Sequence, residues 1–148
     1  VGEVNVVKVM KEVNAVIGGE GNGGIIDPHL HYGRDAMIGI ALFLTHLAKS
    51  GLTTAALRKT YPDYFMSKNK IDLPKHTDVK ALLQKVKEQY TSHPVNTVDG
   101  LKIEFDKSWV HLRASNTEPI IRVYSEAASI EKANEIANEV MKKIKMLI

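Results

Sequence analysis

The spacing of apolar residues changes in the second half of the chain, and this change constrains the fold more than any other feature. Before Pro94 they recur every three or four residues, as in helices, and after it they alternate with polar residues, as in half-buried strands. Asp99-Gly100 favours a two-residue hairpin turn. Strands are expected at residues 64–66, 101–105, 109–112 and 120–124, and helices after Asp78 and Ser129. This order predicts an α+β domain with a four-stranded antiparallel sheet and two helices on one face.

The first fifty residues follow a different pattern. Residues 1–13 favour a helix by the spacing of their valines, although their β-branched side chains also suit a strand. Short strands are expected at residues 15–17 and 25–26. A helix is expected at residues 36–49, after an N-cap at Asp35, with apolar side chains around most of its circumference. Most of this helix is therefore expected to be buried.

Composition excludes several classes of protein. The 148 residues include no cysteine, which rules out disulfides, thiolate zinc sites and cysteine nucleophiles. No apolar run has the length of a membrane span and the N-terminus does not resemble a signal peptide, so we expect a cytoplasmic location and no membrane partner. The 20 Lys and Arg exceed the 17 Asp and Glu only slightly and are interleaved with them, which argues against nucleic-acid binding.

The segment RASNTEPIIR, at residues 113–122, carries the groups that proteins use to bind phosphate. Guanidinium groups supply bidentate, charge-assisted hydrogen bonds, and hydroxyl and amide groups complete the coordination of the oxygens. The side chains of these kinds are Arg113, Ser115, Asn116, Thr117 and Arg122. The alternative is an ordinary turn in which Arg113 pairs with Glu118 at the surface. Composition alone does not separate the two interpretations.

Residues 18–24, GGEGNGG, hold five of the 10 glycines. The spacing matches neither the dinucleotide fingerprint nor the Walker motif, which disfavours nucleotide binding. Glycines let the backbone approach a ligand closely, and Glu20 and Asn22 could then bind sugar hydroxyls. The alternative is a surface loop that binds nothing, which is the commoner role of such a segment.

Together, GGEGNGG and RASNTEPIIRVY resemble the α-D-phosphohexomutase family, which includes phosphoglucomutase, phosphomannomutase and phosphoglucosamine mutase. The second motif is the more specific and is similar to the phosphate-binding loop of the family's C-terminal domain. The resemblance covers the whole chain and implies the C-terminal part of such an enzyme. Residues 1–52 would be the end of the α/β domain 3, residues 53–63 a linker or hinge, and residues 64–148 the α+β C-terminal domain.

The resemblance also implies roles for individual residues. The non-reacting phosphate of the substrate would be held by Arg113, Ser115, Asn116, Thr117 and Arg122, and the sugar hydroxyls by Glu20 and Asn22. Many family members have serine in place of Asn22 and histidine in place of Gly24, so a role of that histidine is lost or moves to His29 or His31. Those two histidines lack metal-ligand spacing, and we expect them to serve in a turn.

The family's phosphoserine and magnesium-binding loops do not occur in this sequence, so no catalytic or metal-binding residue is assigned. The resemblance implies that the intact enzyme moves a phosphoryl group reversibly between the 1- and 6-positions of a hexose phosphate. It would use Mg²⁺ bound outside this chain, a sugar bisphosphate intermediate, and the missing N-terminal domains as partners. The chain alone is expected to be inactive, and which hexose phosphate is preferred stays open. The alternative function is a stand-alone anion- or phosphosugar-binding module.

Overall fold

The computed structural model describes residues 2–115 and 117–148. The chain divides into two units, Val1–Pro62 and Asp63–Ile148. The first contains α1 (Glu3–Val13), β1 (Gly18–Gly19), β2 (Ile25–Ile26), α2 (Ala36–Ser50) and α3 (Thr54–Arg58). The second contains β3 (Phe65–Asp72), α4 (Val79–Glu88), β4 (Val95–Asn96), β5 (Leu101–Phe105), β6 (Ser108–Ala114), β7 (Ile120–Ala127) and α5 (Ile130–Lys145).

In the first unit, β1 and β2 form a two-stranded antiparallel ribbon between α1 and α2. The helix predicted near residues 1–13 is confirmed as α1, which ends where Asn14 adopts a left-handed conformation (φ 51°). The strand predicted at residues 15–17 is wrong, because these residues form the connection after the helix cap and pairing begins only at Gly18. A Cβ on Gly18 would overlap the Met10 sulfur atom, so glycine lets the ribbon pack onto α1.

The helix predicted at residues 36–49 is confirmed as α2. Asp35 caps it by accepting a hydrogen bond from the backbone N–H of Met37 at 2.8 Å, and Gly51 ends it in a left-handed conformation (φ 65°). The expected burial is wrong for the described chain: no residue of α2 is buried, and Met37 and Leu44 remain 75% and 54% exposed. The reason is that β2 and α3 pack against α2 but cover little of its apolar surface.

The second unit is an antiparallel sheet in the order β3-β7-β6-β5-β4, packed against α4 and α5. The predicted α+β class is confirmed, but the sheet has five strands instead of four. The additional strand, β4, has two residues, which is too short to produce an alternating pattern in the sequence. Residues 97–100 connect β4 to β5, so the expected two-residue turn at Asp99-Gly100 is a four-residue loop.

The core of the second unit lies between the sheet and its two helices. Its largest fully buried side chains include Leu101, Ile103, Val110, Leu112, Ile121 and Val123 from the strands and Val86, Val140 and Ile144 from the helices. Two serines that pair across β3 and β7 connect this sheet to α5: Ser125 Oγ donates to the Ala133 carbonyl at 2.7 Å, and Ser67 Oγ to Asn134 Oδ1 at 2.6 Å. The opposite face of the sheet, called the open face below, carries mainly polar and charged side chains.

Candidate functional site

The candidate residues fall into two groups, one in each unit. Glu20 and Asn22 lie in the loop between β1 and β2, and Arg113, Ser115, Thr117 and Arg122 lie in or beside the loop between β6 and β7. Asn116 lies outside the described residues. The residues of each group lie in or beside one loop of their own unit.

The loop between β6 and β7 brings two hydroxyl groups together. The backbone N–H of Ser115 donates to the Ile120 carbonyl at 3.0 Å, which closes the loop at the end of the strands. Ser115 Oγ lies 3.4 Å from Thr117 Oγ1 and accepts a hydrogen bond from the Thr117 backbone N–H, also at 3.4 Å. The two hydroxyl groups can rotate to donate to phosphate oxygens, whereas both N–H groups are already bonded within the loop.

Arg113 and Arg122 stand directly opposite each other on β6 and β7. Opposed residues project from the same face of a sheet with their Cβ atoms about 4.5–5.5 Å apart. Arg122 is exposed, whereas the Arg113 side chain is 36% exposed and its Nε donates to Asp99 Oδ1 at 3.1 Å. This bond leaves the two terminal guanidinium nitrogens of Arg113 for an anion. The alternative pairing of Arg113 with Glu118 does not occur, because Asp99 takes that place.

Asp99 reaches Arg113 because of the loop that precedes β5. The His111 ring Nε2 is hydrogen-bonded to the Asp99 carbonyl oxygen. Gly100 adopts φ 78°, and a Cβ there would overlap the Leu112 carbonyl oxygen, so only glycine fits this close approach. The sequence marks Asp99-Gly100 as a turn but does not reveal Asp99 as the partner of Arg113, since the contact depends on the pairing of β5 with β6.

The glycine-rich loop closes on itself at the end of its ribbon. Glu20 N donates to the Gly24 carbonyl at 3.0 Å, Gly23 N donates to the Glu20 carbonyl at 2.9 Å, and Gly24 N donates to Asn22 Oδ1 at 2.9 Å. Gly23 requires a left-handed conformation (φ 92°) that other residues adopt only with strain. The amide oxygen of Asn22 is therefore used inside the loop, and its NH₂ group is what remains for a ligand.

Arg34, whose role no motif in the sequence indicates, orients Glu20. The Glu20 side chain is only 11% exposed, and its Oε1 lies 3.9 Å from Arg34 Nη1 while its Oε2 accepts from Gly2 N at 3.3 Å. Arg34 Nε also donates to Glu3 Oε2 at 2.9 Å. Arg34 therefore bridges two carboxylates, a role that no local sequence signal indicates because the three residues come from separate elements.

Arg34 also accounts for the glycine at position 24. A Cβ on Gly24 would lie 2.6 Å from Arg34 Cδ, so the arginine side chain occupies the space into which a side chain at this position would project. A cleft of about 710 Å³ lies beside these residues and is lined in part by Asn22, Gly24, Arg34 and Asp35. The cleft combines amide, guanidinium and carboxylate groups, which suits a polar ligand.

His29 and His31 lie in the turn before α2, as expected. His29 Nδ1 lies 2.9 Å from Asp27 Oδ1, and His31 Nε2 lies 3.3 Å from Asp35 Oδ2. The backbone N–H of His29 lowers the pKa of Asp27, and the backbone N–H of Ile38 lowers the pKa of Asp35. Hydrogen bonds of this kind stabilise the ionised carboxylate, so both aspartates are charged at neutral pH.

The described residues include no group of three or more His, Asp or Glu side chains that could hold a metal ion. The magnesium that the resemblance implies therefore has no ligand set in residues 2–115 and 117–148, and no step in this part of the chain is assigned to it. None of the described helices combines the length and apolarity needed to cross a bilayer.

Known protein families match both units. Residues 1–64 match the alpha/beta/alpha domain III of phosphoglucomutase/phosphomannomutase, and residues 68–143 match its C-terminal domain. The chain is 43% identical over 137 residues to a phosphoglucomutase/phosphomannomutase from Thermococcus kodakarensis. It is 37% identical over 144 residues to a phosphoglucosamine/phosphogalactosamine mutase from Sulfurisphaera tokodaii. These alignments cover 91% and 96% of this chain but only 30% and 32% of the relatives, so the chain spans about a third of their length.

A solved structure supports the same assignment at the level of the fold. The structure of a phosphoglucomutase/phosphomannomutase family protein from Burkholderia thailandensis superposes with a TM-score of 0.72 at 24% identity. The match covers 98% of this chain and 32% of that protein. The chain therefore belongs to the phosphoglucomutase/phosphomannomutase family and corresponds to a C-terminal part of its members.

Proposed function

We propose that this chain is the substrate-binding C-terminal part of a phosphohexomutase. The complete enzyme would move a phosphoryl group reversibly between the 1- and 6-positions of a hexose phosphate. In this proposal, residues 1–52 contribute sugar recognition, residues 53–63 form the linker or hinge, and residues 64–148 bind the phosphate that does not react. Names of relatives that include phosphoglucomutase, phosphomannomutase and phosphoglucosamine mutase support the reaction type and leave the preferred sugar open.

The observation that carries this proposal is the opposed pair of Arg113 and Arg122 beside the hydroxyls of Ser115 and Thr117. Two guanidinium groups can bind a phosphate bidentately, and each charge-assisted hydrogen bond contributes about 1.5–3 kcal/mol. The hydroxyls of Ser115 and Thr117 then donate to the remaining oxygens. Asn116, from the same motif, is proposed to add its amide. This set of groups suits a phosphomonoester better than a carboxylate, which has only two oxygens.

Sugar recognition is proposed for Glu20 and Asn22. A carboxylate accepts hydrogen bonds from hydroxyl groups, and the Asn22 NH₂ group donates to them. The contacts of Glu20 with Arg34 and Gly2 hold its carboxylate in one orientation before the substrate binds.

The contribution of these residues to catalysis would be positioning. The sugar bisphosphate intermediate must turn around between the two transfer steps, so a remote clamp has to accept either phosphate. Binding energy from such a clamp holds the reacting phosphate in line with the group that attacks it. The phosphoserine and Mg²⁺ are proposed to lie in domains that precede these two in the complete enzyme.

The exposed face of α2 supports the proposal that further polypeptide covers this part. Met37, Ile40 and Leu44 are 75%, 53% and 54% exposed on a helix whose composition is that of a buried one. An exposed apolar surface of this kind indicates a missing packing partner. We propose that the partner is the remainder of domain III in the same polypeptide. A cytoplasmic location is proposed on the cysteine-free composition.

A chimera tests the proposed function. The N-terminal domains of the Thermococcus kodakarensis relative would be joined to this chain at the start of the aligned region and assayed for interconversion of glucose 1-phosphate and glucose 6-phosphate. We expect turnover, and we expect Arg113→Ala to lower kcat/KM about 10- to 100-fold, as the loss of one charge-assisted contact implies. Lys132→Ala, which removes an exposed cation on α5, is the control and should leave the activity unchanged.

The same experiment distinguishes the alternative function. A chimera that folds and binds glucose 6-phosphate but has no mutase activity would support a stand-alone phosphosugar-binding module. An active chimera in which Arg113→Ala has no effect would contradict the phosphate-binding role of this loop.

A further inference from the structure

Three cationic residues form a row across the open face of the second unit. The strand register pairs Lys70 of β3 with Arg122 of β7, and Arg122 with Arg113 of β6. Opposed residues share a face, so all three side chains project from the side of the sheet opposite α4 and α5. The row lies at the end of β6 and β7 from which the loop with Ser115 and Thr117 emerges.

This row is unfavourable for the isolated sheet. Like charges directly opposite each other on neighbouring strands destabilise the pairing. Arg113 is partly compensated by Asp99, whereas Lys70 and Arg122 are exposed and form no ion pair with a carboxylate in the described part of the chain. A polar side chain at position 70 would fit an exposed edge strand equally well. The uncompensated charges therefore point to an anion that the folded protein binds.

The charge of the open face changes sign along the strands. The row after Lys70, Arg122 and Arg113 holds Lys68, Tyr124, His111 and Lys102, and the next one holds Glu126, Trp109 and Glu104. Lys102 is already neutralised by Glu104, with Nζ 2.8 Å from Oε1, and lies over the Trp109 ring. The outermost row holds Asp72 opposite Ile120, and among the described residues this one carboxylate forms no ion pair with Lys70 or Arg122. The three cations of the neighbouring row therefore give this end of the sheet, which carries the hydroxyl-bearing loop, a positive potential that attracts an anion.

We propose that Lys70 is a further phosphate-binding residue, which extends the anion site from the β6–β7 loop to the edge strand β3. The proposal rests on the proposed function, because the occupant is the phosphate group of a sugar phosphate. A phosphomonoester carries close to two negative charges at neutral pH. Since Asp99 is bonded to Arg113, Lys70 and Arg122 are the two cations of the row that form no ion pair among the described residues, and together they match this charge.

The geometry allows the three side chains to converge. Lys70 and Arg113 are separated by two strand spacings, about 10 Å between their backbones. Lysine and arginine have long flexible stems that bring their charged ends together over a neighbour in the middle strand. Lysine contributes a point charge without a fixed direction, so it suits the side of the phosphate that the directional guanidinium groups do not cover.

Calorimetric titration of the full 148-residue chain with inorganic phosphate and with glucose 6-phosphate at low salt tests the proposal. We expect Lys70→Gln and Lys70→Met to weaken binding of both ligands about 3- to 10-fold, the effect of losing one exposed charge contact. Lys70→Arg should bind like the unmodified chain. Lys102→Gln is the matched control, because it removes a lysine from the same face that is already paired, and it should not change the affinity.

Arg113→Gln separates this inference from the proposed function. If Arg113→Gln weakens binding strongly and both neutral Lys70 variants bind like the unmodified chain, the inference is wrong and the proposed phosphate site stands. If the unmodified chain binds neither ligand, both are wrong. Because Lys70 is exposed and lies opposite Arg122, we expect both neutral Lys70 variants to fold and to be at least as stable to heat as the unmodified chain. A loss of affinity shared by Lys102→Gln would also overturn the inference, since it would reflect only overall charge.

Discussion

Arg113 and Arg122 face each other across neighbouring strands, and Asp99 binds Nε of only the first. The carboxylate fixes the direction of Arg113, whereas Arg122 has no such constraint among the described residues and can adjust to a ligand. Opposed positive charges repel in the empty site and attract an anion placed between them. These residues should therefore lower the stability of the sheet while they increase its affinity for an anion.

Replacement of Arg122 tests whether the opposed charges lower stability and increase phosphate affinity. Arg122→Gln removes one of the opposed charges, so we expect the free energy of unfolding to rise by roughly 0.2–1 kcal/mol at low salt while phosphate affinity falls. The stability gain should vanish at about 1 M salt, where charge repulsion is screened. Urea unfolding at both salt concentrations measures this. A variant that is less stable at low salt would show that Arg122 has a structural role instead.

The contact between Gly24 and Arg34 predicts that the cost of a side chain at position 24 depends on Arg34. Gly24→Ala should destabilise the chain by about 1 kcal/mol, because its Cβ would meet Arg34 Cδ at 2.6 Å. In an Arg34→Ala background the same change should cost much less, because the close neighbour that remains is Asn22 Oδ1 at 3.2 Å and alanine reduces the entropy of the unfolded chain.

Thermal unfolding of the unmodified chain, the two single variants and the double variant measures this coupling. Gly21→Ala is the control, since a Cβ there meets no atom within 4 Å and the substitution should be tolerated in both backgrounds. Equal effects of Gly24→Ala with and without Arg34 would contradict the packing described for this loop.

Substitutions of Ser125 and of Ser115 should affect stability and phosphate binding separately. Ser125 is fully buried and donates to the Ala133 carbonyl, so Ser125→Ala should lower the free energy of unfolding by about 1–3 kcal/mol without changing phosphate affinity. Ser115 lies in the β6–β7 loop, and Ser115→Ala should weaken phosphate binding with little loss of stability. Chemical denaturation and calorimetry on the two variants check both statements. If Ser115→Ala instead lowered stability and left phosphate affinity unchanged, Ser115 would not be part of the binding site.

Asp35 links the stability of the first unit to pH. The hydrogen bond from the Ile38 N–H lowers the pKa of Asp35 below its ordinary value of 3.8, so the capping contribution is complete above that value and is lost as pH falls through the lower folded-state pKa. We therefore expect Asp35→Ala to lower the melting temperature at pH 7 and to have a diminishing effect below pH 3.8. A difference that stays constant down to pH 2 would show that ionisation of Asp35 does not matter.

Capping residues in the sequence predicted the helix ends that depend on them. Asp35 and Gly51 bound α2, and Ser129 caps α5 by accepting from the Lys132 N–H at 3.2 Å. Capping residues alone did not reveal the short elements. α3 has five residues, begins after the Thr53 cap and lies in a stretch assigned to a linker, because so short a helix has no complete apolar period.

The candidate site was predictable only in part. The motifs identified Glu20 and the β6–β7 loop, because their residue types carry the chemistry. Arg34 and Lys70, the latter proposed above, were not indicated by any motif, since the first lies near Glu20 across the ribbon and the second lies opposite Arg122 only through the register of an edge strand. Such contacts depend on tertiary pairing, which no local pattern specifies. The exposure of α2 was likewise not visible in its composition.

The central claim is that the β6–β7 loop of this chain binds the phosphate of a sugar phosphate, and an NMR titration of the full chain with glucose 6-phosphate tests it most directly. We expect the largest shifts at the backbone N–H groups of Ser115 and Thr117 and at the side-chain Nε–H groups of Arg113 and Arg122. Shifts confined to the cleft of about 580 Å³ beside α4, lined in part by Lys80, Leu83 and Lys87, or no shifts at all, would contradict the claim.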